Sequence, residues 1–93
     1  MGDGRAFRAT VRYWRPEQAG GLAVIDLPPE VIAALGGLKQ MRVRGLINGM
    51  AFTSNTMPAG GGRLAMSMSR KLLDGAHAAV GDEVEVEVER LDA

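Results

Sequence analysis

Residues 22–37, LAVIDLPPEVIAALGG, followed by residues 40–47, QMRVRGLI, decide how this chain is read. An apolar run gives way to two prolines, then to two turns of helical pattern stopped by paired glycines, then to an alternating segment. The order is strand, helix, strand. It returns in residues 64–90, LAMSMSRKLLDGAHAAVGDEVEVEVER, about 42 positions later. Leu22 matches Leu64, Ala23 matches Ala65, Leu27 lies near Met68, Val31 near Leu72, and Val43 near Val84 or Val86. A duplicated unit of this kind predicts a pseudo-two-fold architecture. It is a packing device and names no reaction.

The flanking segments complete each copy. Residues 6–14 alternate, with Phe7, Ala9, Val11 and Tyr13 on one face and Arg8, Thr10 and Arg12 on the other, the pattern of a half-buried strand. Residues 15–21, RPEQAGG, read as a loop. Pro28 and Pro29 fit only the first turn of a helix, where a missing N–H costs nothing, and Gly36 or Gly37 stops it. Asn48-Gly49 predicts a type I′ hairpin leading into a strand over residues 50–54. Residues 55–62, NTMPAGGG, read as a flexible loop. Ser69 is placed to cap a helix over residues 70–79 that ends or kinks near Gly75. Val84, Val86 and Val88 point inward from the last strand. The expectation is one domain over residues 1–93, with halves at 6–47 and 49–90. The class is mainly β with two short helices: a small closed six-stranded barrel of duplicated β-β-α-β units, closure removing the sheet edges.

Composition narrows the class of protein. At 93 residues the chain has an adequate but thin core, and stability is expected on the order of 5–10 kcal/mol. It has no cysteine, which excludes disulfides and thiolate chemistry and fits the cytoplasm. No apolar run follows the charges of MGDGRAFRAT, and none approaches the ~20 residues of a membrane helix. Eleven basic and eleven acidic residues cancel, which argues against strong non-specific DNA binding. Arg5, Arg8, Arg12 and Arg15 gather in the first strand, and Asp82, Glu83, Glu85, Glu87, Glu89 and Asp92 in the last. The two strands are expected to be neighbours with charges paired across the ladder.

The runs DLPPEV, RVRGLING, MPAGGGR and VGDEVEVEVE together resemble the bacterial family catalogued as domain of unknown function nineteen-oh-five, over residues 7–89. The resemblance implies a small β-barrel with two helices, free-standing or fused to another domain, and brings no activity with it. Such a barrel is also similar to the cradle-loop barrels and the AbrB-like transcription factors. Likeness at the level of fold does not carry function.

Candidate chemistry centres on Gly60, Gly61, Gly62 and Arg63. Three glycines let backbone N–H groups approach an anion. Ser69 and Lys71 open the following helix, where anions are favoured. Arg42, Arg44 and Trp14 are expected at the rim. His77, the only histidine, follows a helix end and lacks a partner nucleophile in sequence. The four glutamates alternate too loosely for one calcium ion, and the methionines at 50, 57, 66 and 68 suit core filling. No catalytic residue, metal site or cofactor is assigned. The leading expectation is a non-enzymatic binding module for a small anionic ligand or a peptide at the Gly-rich loop, monomeric or homodimeric. The alternatives are an AbrB-like dimeric DNA-binding protein, which needs the first-strand arginines on an open face, and a small enzyme without a visible catalytic motif.

Overall fold

The computed structural model describes residues 5–15, 17, 20–37 and 40–91. Pro16, Gln18 and Ala19 of the expected first loop, and Asp92 of the acidic set, lie outside the described residues. The expected first strand is two strands, β1 (Arg5–Thr10) and β2 (Arg12–Tyr13). They separate at Val11, whose N–H donates to the Asp82 carbonyl at 2.9 Å and whose carbonyl accepts from the Gly81 N–H at 2.8 Å. Val11 is fully buried. Beyond it the chain turns from one neighbour to another. β3 (Ala23–Asp26), α1 (Pro29–Ala34), β4 (Arg42–Ile47), β5 (Met50–Gly60), β6 (Arg63–Met68), α2 (Arg70–Gly75) and β7 (Glu83–Arg90) follow.

The strands form one antiparallel sheet in the order β1-β7-β4-β5-β6-β3-β2. Its two edges, β1 and β2, are consecutive in the chain, so the sheet must curl. The result is a seven-stranded half-barrel and not the closed six-stranded barrel expected. Among the described residues no ladder joins β1 to β2. The inner face carries Val43, Ile47, Phe52, Met66, Met68, Val84, Val86 and Val88, with Val31 of α1 and Leu73 of α2 packed into the same core. Each buried valine of β7 stabilises the fold by roughly 1.5–3 kcal/mol relative to exposure, and the glutamates between them face outward as the alternation predicts.

The pairing repeats in the two halves. Ala9 sits opposite Val84, and Ser54 sits opposite Val43. Val11 meets the turn before β7, and Thr56 meets Met41 just before β4, with the Thr56 N–H on the Met41 carbonyl at 2.9 Å. Arg12 opposite Val24 corresponds to Met57 opposite Ala65. Two sequence matches, Leu22/Leu64 and Ala23/Ala65, are therefore one residue out. In a strand that slip exchanges faces: Ala23 and Leu64 belong to the core, while Val24 and Ala65 are buried on the opposite face.

Local chemistry accounts for the element ends. Asn48 and Gly49 take φ of 50° and 83°, the left-handed pair of a type I′ turn. Pro28 caps α1 and Pro29 begins it. Ser69 Oγ accepts the Leu72 N–H at 3.0 Å, the expected cap. α2 ends at Gly75, one of the two outcomes expected there. His77 adopts φ 56°, and the His77 and Ala78 N–H groups bond the Asp74 and Leu73 carbonyls, a Schellman ending.

Residues 55–60 are strand and not loop. β5 continues through Pro58, with a register irregularity between Pro58 and Gly60, and only Gly61 and Gly62 form the turn. Pro58 is tolerated because β4 ends at Arg42 opposite Asn55, leaving no ladder for the missing N–H to break on that side. At Gly45 the backbones of β4 and β7 lie too close for a side chain. A Cβ there would lie 1.8 Å from the Glu87 carbonyl oxygen and 2.9 Å from Val88 Cα.

Candidate functional site

The sequence-derived site divides in two. Gly60, Gly61 and Gly62 take φ of 89°, 61° and 78°, and a Cβ on any of them would meet nothing within 4 Å. These glycines serve the turn's backbone conformation and not a close approach. Arg63 bends back onto its own hairpin, donating to the Gly60 and Ala59 carbonyls at 3.2 Å each. Ser69 and Lys71 lie beyond the other end of β6. Six steps along the strand separate Arg63 from Ser69, about 20 Å at the usual rise. The two groups do not converge on one ligand.

The expected rim residues scatter as well. Arg44 bonds Glu89 at 2.6 Å on the outer face of β4, and Arg42 is exposed on that face beside Asn55. Trp14 is half-buried, with the Arg12 guanidinium 5.9 Å from its ring centroid. Of the four first-strand arginines, Arg15 is exposed just beyond β2 and the other three are engaged, so no open row of four forms. Arg8 bonds Glu85 at 3.1 Å and reaches Glu83 at 3.9 Å, the cross-strand pairing expected. Arg12 turns instead to Asp26, bidentate at 2.7 and 2.9 Å, because β2 has left β7 for β3. The hydrogen bond from Arg12 holds the Asp26 carboxyl below its ordinary range, and the same bond raises Arg12. Arg5 is engaged too.

What the structure does assemble is a groove between the first half of β5, the end of β6 and α2. It encloses about 510 Å³, lined by Met50, Ala51, Phe52, Thr53, Ser67, Ser69, Lys71, Leu72 and Gly75, within the usual range of ligand sites. Its origin is a divergence of strands. β5 pairs with β6 only from Thr56 onward, and with β4 only up to Asn55. Residues 50–55 therefore have a neighbour on one side alone. Ser54 Oγ bridges part of the gap, donating to the Ser67 carbonyl at 2.8 Å. Phe52 forms the buried floor, while Met50 is 40% exposed. Gly75 admits Met50, whose Cε would lie 2.6 Å from a Cβ at that position. Lys71 is the one charged lining residue, and it forms no ion pair among the described residues.

Ser69 and Lys71 are thus the two sequence candidates that the fold brings to a groove. Nothing in the sequence links Ser54, Ser67, Met50 and Leu72, because the gap that joins them is a property of strand pairing. The alternation of Ser67 with Met66 and Met68 placed it on the opposite face from the core, which is the one signal the sequence carried.

Among the described residues no three His, Cys, Asp or Glu side chains group to hold a metal. Among the described residues, no helix is long and apolar enough to cross a membrane. His77 is exposed, and its backbone ends α2. No curated protein matches the chain. A family model spans residues 7–88, nearly all of the sheet just described. The chain belongs to the family described as Domain of unknown function (DUF1905).

Proposed function

We propose that this chain is a non-enzymatic binding module whose ligand, a small anionic molecule or a peptide, lies in the groove between β5 and α2. The observation that carries the reading is the Lys71 ammonium, in no ion pair among the described residues, beside an apolar floor and the Ser67 and Ser69 hydroxyls. A buried apolar base with a few convergent polar groups is the usual composition of a ligand site. The site moves from the Gly-rich turn to the groove because Arg63 is spent on its own hairpin carbonyls. The DNA-binding alternative needs arginines free to meet phosphates, and Arg8 and Arg12 are already in ion pairs.

The test is an amide NMR titration of labelled protein with a pool of nucleotides and phosphorylated metabolites, with acidic peptides, and with short duplex DNA. Shifts at residues 50–53 and 67–75, weakened in Lys71→Met, are the expected result. Shifts centred on residues 60–63, or salt-sensitive shifts along residues 5–15 with DNA, would overturn the assignment.

A further inference from the structure

We infer that the ligand of this groove is an extended acidic peptide that adds to β5 as an extra antiparallel or parallel strand. The inference rests on the groove being the binding site and specifies what it takes. The argument concerns backbone groups. Along a strand, the N–H and C=O of successive residues point to alternate sides. The Thr56 N–H points to the β4 side, since it donates to the Met41 carbonyl. The even-numbered residues of β5 therefore face β4, and Ala51 and Thr53 turn their N–H and C=O the other way, into the groove. On the opposite wall, Leu64 of β6 gives its carbonyl to the Leu27 N–H, toward β3. Ser67, of opposite parity, thus faces the groove as well. Ala51, Thr53 and Ser67 all line it.

An open strand edge in a sheet is a template for another strand. Proteins usually block it with lysine, proline or a bulge in the edge itself, and residues 50–54, MAFTS, contain no lysine or proline and pair with β4 without a register break. A peptide laid there would exchange main-chain hydrogen bonds with Ala51 and Thr53. Alternate side chains would meet Met50 and Leu72, the general mode of β-strand addition. Lys71, the one cation of the lining and in no ion pair among the described residues, selects a carboxylate on the peptide.

The other half of the molecule supplies a contrast. By the repeated pairing, the gap between β1 and β3 corresponds to this groove, with Arg8, Ala9, Thr10, Arg12 and Asp26 along it. There Asp26 stands where Ser67 does and Arg12 where Met57 does. The bidentate Arg12–Asp26 pair lies in that gap, so an added strand would have to displace it. Only one of the two gaps is ready for a peptide.

The experiment uses blocked six-residue peptides alternating valine and threonine, with one glutamate at each position in turn, added to the labelled full chain. Amide hydrogen exchange and chemical shifts are read together. At saturation Ala51 and Thr53 should slow at least about tenfold in exchange, while Met50 and Phe52, already bonded to β4, and Arg8 and Thr10 of the other gap, stay unchanged. N-methylation of alternate peptide amides should abolish binding, and Lys71→Met or a glutamine peptide should weaken it about tenfold. Groove shifts with equal binding by the N-methylated peptides would overturn strand addition and leave the groove as a site. So would binding of the metabolite pool there and of no peptide. Silence of residues 50–53 and 67–75 toward every probe would remove the groove itself as the site.

Discussion

Replacing Gly45 by alanine should remove about half of the stability expected of a domain this size, and the structure gives the size of the effect. The new Cβ would sit 1.8 Å from the Glu87 carbonyl oxygen, 2.7 Å from its carbon and 2.9 Å from Val88 Cα. All three are backbone atoms, so no side chain can swing aside. Relief requires β4 and β7 to separate by more than 1 Å where Gly45 faces Val88 and Leu46 faces Glu87. Ladder hydrogen bonds there would be stretched or lost, at roughly 1–3 kcal/mol for each buried group left unsatisfied. Overpacking strain adds about 1–3 kcal/mol. The sum is about 4 kcal/mol, against a total stability on the order of 5–10 kcal/mol for a domain of this size. Urea unfolding followed by far-UV circular dichroism, with Trp14 fluorescence as a second probe, measures it. A variant losing less than about 1 kcal/mol would refute the close approach of β4 and β7.

Two further substitutions test other links. Thr56→Val keeps the shape of a residue only 1% exposed but removes the acceptor of the Met41 N–H at 2.8 Å. The expected loss is about 1–3 kcal/mol, and a loss below half a kcal/mol in urea unfolding would show that Met41 finds another partner. Asp26→Asn tests the Arg12 pair by its pH dependence. The folded carboxyl titrates below its unfolded value because Arg12 bonds the charged form, so its contribution is present above about pH 4 and fades as pH falls through the folded value. With both side chains more than a third exposed, the loss at neutral pH should be under about 1 kcal/mol. The wild-type and variant midpoints should converge near pH 2, and a gap that widens on acidification would contradict the pair.

The sequence made the strands of the second half and the type I′ turn legible, because valine alternation in residues 83–90 and Asn48-Gly49 each have a single structural solution. It made residues 55–62 misleading. Proline and three glycines read as a breaker, yet Pro58 sits where β5 needs no donor, and two of the glycines suffice for the turn. Val11 looked like one more inward residue of a strand, and its hydrogen bonds to Gly81 and Asp82, which split the strand, join positions about 70 apart. The site was half legible. Ser69 and Lys71 reached the groove, while the Gly-rich turn did not, because a whole strand intervenes. The groove itself arises where β5 leaves one neighbour before meeting the next, and no side-chain pattern records an absent ladder.

That both margins of the sheet come from one continuous segment, residues 5–13, bears on how the molecule is made. β1 has no ladder until β7 exists, and β7 is the last of the described strands to leave the ribosome. β1 must therefore wait, unpaired, for the last of the described strands. Contacts of such long sequence separation slow folding, and an interrupted or C-terminally nicked chain would strand its opening segment along with its closing one.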